Sequence, residues 1–258
     1  MARKRFGQHF LHERGVIERI VRLLDPAADD RLVEIGPGEG ALTRPLLERV
    51  NALSVIEIDR ELAAGWRETA AGDPRLNVIE ADALSVDYAA LAARRGGALR
   101  LVGNLPYNIS SPLLFALLGG DAPIVDMHFM LQKEVVDRMV AAPGSRDYGR
   151  LSVTLAARAR AEHLFDVGPG AFRPPPKVMS AVVRITPRSP DFTIDDPARF
   201  DRVVTAAFGQ RRKTLRNALR GELEAETIAA CGIDPAERAE RLSAADFAAL
   251  ARAAAERY

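Results

Sequence analysis

Cysteine is nearly missing: Cys231 is the one thiol in 258 residues. A single thiol makes neither an internal disulfide nor a cysteine metal cluster, so no metal site is expected and a reducing cytoplasm is the simplest setting. Nothing beside Cys231 in sequence resembles an activating base, so it reads as a small packing residue. Net charge is nearly missing too, at +1, so affinity for nucleic acid has to come from where the basic residues sit. Long apolar runs are absent. The basic start, with Arg3, Lys4 and Arg5, leads into no apolar stretch and does not read as a signal peptide, and no segment approaches membrane-spanning length. There is no internal repeat. What remains, 48% hydrophobic and 28% charged residues, suits a soluble globular protein with chain enough for one large α/β domain and a small appendage.

Short apolar strands alternate with helical patterns through the first two-thirds of the chain. Leu32-Val33-Glu34-Ile35 reads as a strand, and a helix follows with Leu42, Leu46, Leu47 and Val50 on one face. Further strands are expected at 53–58, 76–79, 99–102 and 127–131, with a helix opened by the capping residue Asp59 after the second. Such alternation implies a parallel sheet covered on both faces. Near residue 161 the rhythm changes. Strands at 164–167 and 181–185 are joined by a Gly/Pro-rich loop with no helix between them, which predicts an antiparallel finish to the sheet. Thr186-Pro187-Arg188-Ser189-Pro190 reads as a linker. The pattern beyond it is helical, so the boundary falls between a domain over 1–187 and a small all-helical domain over 188–258.

Ligands of an open parallel sheet bind beyond the carboxyl ends of its strands. The residues there are Gly36-Pro37-Gly38-Glu39-Gly40, Glu57, Asp82 and Asn104. Glycines permit sharp turns and close approach of backbone to ligand. A dinucleotide fingerprint would read G-x-G-x-x-G; here the third glycine comes one position early, and Glu39 would repel a pyrophosphate. Glu57, 21 positions after Gly36, can accept from both hydroxyls of a ribose, as either NAD or S-adenosylmethionine (SAM) would require. Asp82 can accept from the exocyclic amine of a bound adenine, or it can simply cap the next helix. Together these features favour SAM, whose sulfonium and ammonium charges suit a pocket of acids and carbonyls. Glu34 adds one more acid, or orients the turn.

Asn104-Leu105-Pro106-Tyr107 follows the fourth strand. An adenine amine is a weak nucleophile because its lone pair is delocalised into the ring. Neutral acceptors that hold both N–H groups favour the tetrahedral nitrogen that attack on a methyl group needs. The Asn104 side-chain oxygen and a nearby carbonyl can supply them. Pro106 fixes the turn so that the Leu105 carbonyl points inward, and Tyr107 offers a flat face for a base.

This tetrapeptide resembles the motif of amino-methylating enzymes. With Phe6-Gly7-Gln8-His9-Phe10-Leu11, Val33-Glu34-Ile35-Gly36-Pro37-Gly38, Phe172-Arg173-Pro174-Pro175-Pro176-Lys177-Val178 and Gln210-Arg211-Arg212-Lys213-Thr214-Leu215-Arg216-Asn217, the whole chain resembles the KsgA (RsmA) family of small-subunit rRNA adenine dimethyltransferases. The resemblance implies a Rossmann-like class I SAM-dependent methyltransferase sheet with a helical C-terminal domain. It implies SAM contacts at His9, Leu11, Gly36, Gly38, Glu57, Ile58, Asp82, Ala83 and Asn104. It also implies that Asn104 and the Leu105 carbonyl hold the amine while Tyr107 and Phe172 sandwich the target adenine. The implied substrate is a pair of adjacent adenines in a hairpin loop near the 3′ end of 16S rRNA, within a 30S precursor, met by a monomeric cytoplasmic enzyme. The family commonly has asparagine where this chain has His9.

Between Arg211 and Arg220 lie five basic side chains and no acid. Arg212, Arg216 and Arg220 share one face of a helix if the segment is helical throughout, so Arg211, Arg212, Lys213, Arg216 and Arg220 are the candidate phosphate contacts. Arg3 to Arg5 would extend them as a basic arm, with Phe6 and Phe10 either stacking on bases or docking that arm. Two further functions compete: a large-subunit rRNA adenine dimethyltransferase of the resistance type, and an assembly factor that acts mainly by binding. A nicotinamide oxidoreductase is disfavoured by the loop spacing.

Overall fold

The computed structural model describes residues 9–106, 109–210 and 212–257. Arg3, Lys4, Arg5, Phe6, Tyr107 and Arg211 lie outside the described residues.

Two compact units divide the chain: residues 1–136 with 162–187, and residues 137–161 with 188–258. The first is built on a seven-stranded sheet. Its strands are β2 (Arg31–Ile35), β3 (Leu53–Glu57), β4 (Leu76–Glu80), β5 (Leu99–Asn104), β6 (Ile124–Gln132), β7 (Ala159–Val167) and β9 (Ser180–Pro187), ordered β4-β3-β2-β5-β6-β9-β7. Pairs β2–β3, β3–β4, β2–β5 and β5–β6 are parallel, and β9 runs antiparallel to β6. The antiparallel finish is present, and no α-helix separates β7 from β9. Strand interiors such as Leu32, Val33, Val55, Leu101 and Val102 are wholly buried, as expected of parallel strands covered on both faces. A separate two-stranded ribbon pairs β1 (Phe10–Leu11) with β8 (Phe172–Arg173), and joins the N-terminal residues to the 172–178 loop.

Helices α1 (Arg14–Leu24), α2 (Thr43–Leu47), α3 (Arg60–Ala71), α4 (Tyr88–Arg95) and α5 (Ser110–Gly119) cover this sheet. Carboxylates start three of them by accepting the orphan backbone N–H groups of the first turn: Glu13 for α1, Asp59 for α3 and Asp87 for α4. The helix after the glycine loop is shorter than its apolar pattern suggests. α2 holds five residues, yet Leu42, Leu46, Leu47 and Val50 are all buried. Arg100 ties the far end of the sheet to the C-terminus of α1. It bonds Asp30 at 2.6 Å, Asp126 at 2.8 Å and the Leu24 carbonyl at 2.7 Å. Its neighbour His128 is buried, takes an N–H from Arg184 at 3.0 Å, and is pushed down to about 4 by burial, against the nearby Asp126.

The chain passes from the first unit to the second within α6 (Lys133–Val140). The second unit is helical: α7 (Arg150–Ala156), α8 (Pro197–Gly209), α9 (Leu215–Ala218), α10 (Ala225–Ala230) and α11 (Ala244–Ala253). Its own core holds Phe200, Val203, Leu215 and Phe247, each fully buried. Residues 137–161 pack with this unit although they precede the last strands in sequence; Tyr148, for example, donates to the Leu242 carbonyl at 2.8 Å. The segment 212–220 departs from the continuous helix its spacing suggests. Only Leu215–Ala218 is helical, so Arg212, Arg216 and Arg220 do not form one helical stripe. Tertiary hydrogen bonds explain the break: the Leu215 and Arg216 N–H groups are drawn to the Glu237 and Pro235 carbonyls, at 2.7 and 3.0 Å. Arg212, Lys213, Arg216 and Arg220 are nonetheless all exposed.

Among the described residues no helix is long and apolar enough to cross a membrane, and no group of His, Cys, Asp and Glu is placed to hold a metal ion.

Candidate cofactor and active site

Strand order reverses between β2 and β5, so the loops leaving them diverge to opposite sides and open a crevice. The two strands are in register, Glu34 opposite Val102, which brings the glycine loop after β2 beside Asn104 at the end of β5. Gly103 makes the approach close: a Cβ there would lie 2.5 Å from the Ile35 carbonyl oxygen. The crevice holds about 320 Å³ of empty space, its open mouth included, and Leu11, Glu34, Gly36, Gly38 and Asn104 are among its walls.

Gly36, Gly38 and Gly40 have φ of 72°, 52° and 88°, the left-handed region that side chains other than glycine avoid. The turn therefore needs its glycines. On one side the Phe10 ring presses so close that a Cβ on Gly38 would be 3.0 Å from it. Phe10 thus lies against the cofactor loop, with Leu11 buried beside it.

Glu34 and Glu39 line the crevice, and Glu57 is bonded to the glycine loop beside it. Glu57 is 3% exposed and accepts from the Asp59 N–H at 2.9 Å and the Gly38 N–H at 3.3 Å. Burial pushes its carboxyl up, and those N–H groups act against the shift. Glu34 is 2% exposed; one oxygen accepts from Thr43 Oγ1 at 2.6 Å. Burial pushes it up to about 7, with the Glu57 charge adding to the effect. Asp82 caps the 3-10 turn Ala83–Ser85, accepting from the Leu84 N–H through one oxygen at 2.9 Å; this is the capping role its sequence also allowed. Ala83 is buried, whereas Ile58 is 44% exposed at the rim.

Asn104 carries the most informative contact. Its side-chain nitrogen donates to the His9 carbonyl at 2.8 Å. That bond fixes the amide plane and leaves Oδ1 as the group able to accept a hydrogen bond. The His9 ring reaches the Pro174 carbonyl at 2.7 Å, so this histidine stitches the residue before β1 to the 172–178 loop. The Leu105 N–H binds the Met130 carbonyl at 3.2 Å and pins the residue after Asn104 to β6. Phe172 is 2% exposed and packs in the hydrophobic core. In this conformation the Phe172 ring shows almost no surface to a stacked base.

The structure thus gathers Leu11, Gly36, Gly38 and Asn104 around one crevice, with Glu57 bonded to the Gly38 N–H. The exposed basic residues 212, 213, 216 and 220 belong to the other unit. Sequence reasoning overlooked Thr43, Arg44 and Trp66. Trp66, the chain's single tryptophan, was the available signal, but nothing in sequence ties it to the glycine loop 28 positions earlier.

Comparison with known proteins bears on the family and the fold. The family described as "Ribosomal RNA adenine dimethylase" matches residues 1–256. A protein of Xanthomonas euvesicatoria pv. vesicatoria named "Ribosomal RNA small subunit methyltransferase A" is 59% identical over 251 residues, 97% of this chain and 95% of that protein. A protein of the same name from Bordetella pertussis is 56% identical over 253 residues, 98% of this chain and 94% of that protein. Among solved structures, a dimethyladenosine transferase from Plasmodium falciparum superposes with a TM-score of 0.79 at 23% identity, covering 94% of this chain and 96% of that one, and bears on fold alone. The 23S rRNA methyltransferase ErmE superposes with a TM-score of 0.73 at 26% identity, covering 95% of this chain and 98% of that one.

Proposed function

We propose, since the chain belongs to the ribosomal RNA adenine dimethylase family, that it transfers methyl groups from SAM to N6 of two adjacent adenines in small-subunit rRNA. The residues fit the cofactor: a glycine turn with an acid inside it, the buried carboxylate of Glu34 in the wall, that of Glu57 bonded to the Gly38 N–H, and no basic side chain among the residues lining the crevice. SAM supplies an electrophilic methyl group on a positively charged sulfur. Glu57 accepts from the ribose hydroxyls, and the second oxygen of Asp82 accepts from the cofactor's adenine amine. Leu11, Ile58 and Ala83 supply apolar contact, and the loop from Gly36 to Gly38 admits the methionine portion.

The single observation that carries the reading is the Asn104 amide, whose nitrogen is held by the His9 carbonyl at 2.8 Å. Asn104 Oδ1 and the Leu105 carbonyl then hold the two N–H groups of the target amine as its nitrogen turns tetrahedral. Preorganised neutral acceptors need no general base beforehand, because the methylated nitrogen is acidic and loses its proton to water. Pro106 fixes the turn, and Tyr107 and Phe172 flank the purine, Phe172 once its ring is uncovered. Arg211, Arg212, Lys213, Arg216 and Arg220 contact rRNA phosphates. The partner is a 30S precursor, the setting is the cytoplasm and the working form is a monomer.

The test is incubation with labelled SAM and unmethylated small subunits, followed by nucleoside analysis. Dimethyladenosine is expected from the wild-type protein and none from Asn104→Ala, which should still bind the subunit. Loss of subunit binding by that variant would undo the division of roles between Asn104 and the basic residues. The likeness to ErmE at 26% identity gives one alternative substrate, 23S rRNA. Primer extension across both ribosomal subunits decides between them, and modification confined to the large subunit would overturn the proposal.

A further inference from the structure

The glycine loop is held from behind as well as lined in front. Trp66, on α3, donates its indole N–H to the Gly38 carbonyl at 3.0 Å. Arg44, on α2, donates to the adjoining Glu39 carbonyl at 2.6 Å. The guanidinium of Arg44 lies 5.6 Å from the centre of the Trp66 ring, so the two side chains support each other. The fit beneath Gly40 is tight: a Cβ there would lie 2.5 and 2.7 Å from two carbons of the indole and 2.9 Å from the Arg44 guanidinium. The residue at Gly38 is gripped at both ends, its N–H by Glu57 at 3.3 Å and its carbonyl by Trp66.

A peptide flip at Gly38 would turn this carbonyl and the next N–H about the loop axis and change the wall presented to the cofactor. Glycines have no side chain to oppose such a flip, so the opposition has to come from outside the loop. We infer that Trp66 and Arg44 are positioning residues for SAM, a brace that keeps the loop over 36–40 in its binding conformation. The inference rests on the assignment of this crevice to SAM. Neither side chain needs to touch the cofactor, because the bonds run to carbonyls on the loop itself. Since Trp66 is the only tryptophan of the chain, its fluorescence reports directly on the state of the loop.

Calorimetry with SAM separates the brace from simple core packing, because Trp66 is also 6% exposed and part of the core. Trp66→Phe keeps an aromatic ring and removes the N–H donor. Arg44→Gln, at an exposed position, removes the charge and draws the side-chain N–H group back by about two bonds from the Glu39 carbonyl, and leaves the core untouched. Each should raise the SAM dissociation constant about 3- to 10-fold, the weight of one lost hydrogen bond. KM for SAM should rise in step while kcat at saturating SAM stays within about twofold of wild type. In the wild-type protein, saturating SAM should shift the indole emission. If Trp66→Phe does not fold, Arg44→Gln and the wild-type fluorescence decide. A wild-type protein that binds no SAM overturns the cofactor assignment and the brace with it. Tight SAM binding with unchanged affinity in Arg44→Gln and in folded Trp66→Phe overturns the brace alone; core packing would lower Tm in Trp66→Phe but leave SAM affinity where it was.

Discussion

Gly103→Ala tests whether close approach of two strands makes the site. Gly103 sits at the end of β5 with no left-handed φ, so alanine strains no backbone angle there. The added Cβ would instead lie 2.5 Å from the Ile35 carbonyl oxygen and 3.2 Å from a methyl carbon of Leu105. Leu105 can rotate; the Ile35 backbone cannot. Restoring ordinary contact means parting β2 from β5 by about 0.5–1 Å. Overpacking of this kind costs about 1–3 kcal/mol, and a domain of this size loses about 2–4 °C in Tm for each kcal/mol. The same displacement lies between Gly36 and Asn104, so activity should fall further than stability. A misplacement near 1 Å can cost about 100-fold in rate; a loss of about 10- to 100-fold in kcat/KM is expected in the methyl-transfer assay at a temperature where the variant is folded. Gly65→Ala is the control. A Cβ on this exposed helical glycine meets nothing within 4 Å, so that variant should gain about 0.5–1 kcal/mol with activity unchanged. A Gly103→Ala protein with wild-type Tm and kcat/KM within twofold of wild type would refute the reasoning, because the strands would then have room to spare.

Three other variants probe separate parts of the molecule. Glu34 is raised from 4.5 to about 7 on folding, so the native state binds its proton more tightly than the unfolded chain, and stability falls as pH rises from 4.5 to 7. Glu34→Gln keeps an acceptor for Thr43 and should therefore equal wild type in denaturant melts near pH 4 and exceed it by up to about 3 kcal/mol at pH 8; equal stability at both would contradict the burial of a charged acid. Arg100→Gln leaves the carboxylates of Asp30 and Asp126, at present 2.6 and 2.8 Å from the guanidinium, without their cation. Chemical denaturation should show a loss of about 3 kcal/mol, and a loss under about 0.5 kcal/mol would mean that the cluster is solvated like a surface pair. Converting Arg212, Lys213, Arg216 and Arg220 together to glutamine should weaken rRNA binding across sequences and flatten the salt dependence by about 0.7–0.9 for each phosphate no longer neutralised; filter binding over a salt series measures it, and an unaltered slope would remove these residues from the interface.

Much of the site is legible along the chain because its geometry is local. A glycine turn after an apolar strand, a carboxylate ending the next strand and Asn104 ending the fourth are short-range patterns, and the switch point follows from strands alternating with helices. The antiparallel finish is legible for the same reason, since the loop between the last strands is rich in glycine and proline and carries no helical pattern. Residues 212–220 show the limit. Their side-chain spacing suits a helix, but the Leu215 and Arg216 N–H groups bond the Glu237 and Pro235 carbonyls from chain about 20 positions away, so the helix cannot extend back to Arg212; spacing carries no information about such partners.

Sequence alone determined the family and the class of cofactor, because motifs of fixed order and spacing carry the first and the groups at strand ends carry the second. Only the tertiary structure decided which way the Asn104 amide faces, that Phe172 is buried, that residues 137–161 join the helical unit and that Trp66 lies beneath Gly40. Each of these depends on contacts between segments distant along the chain, and close packing, unlike periodicity, leaves no repeat in the sequence to read.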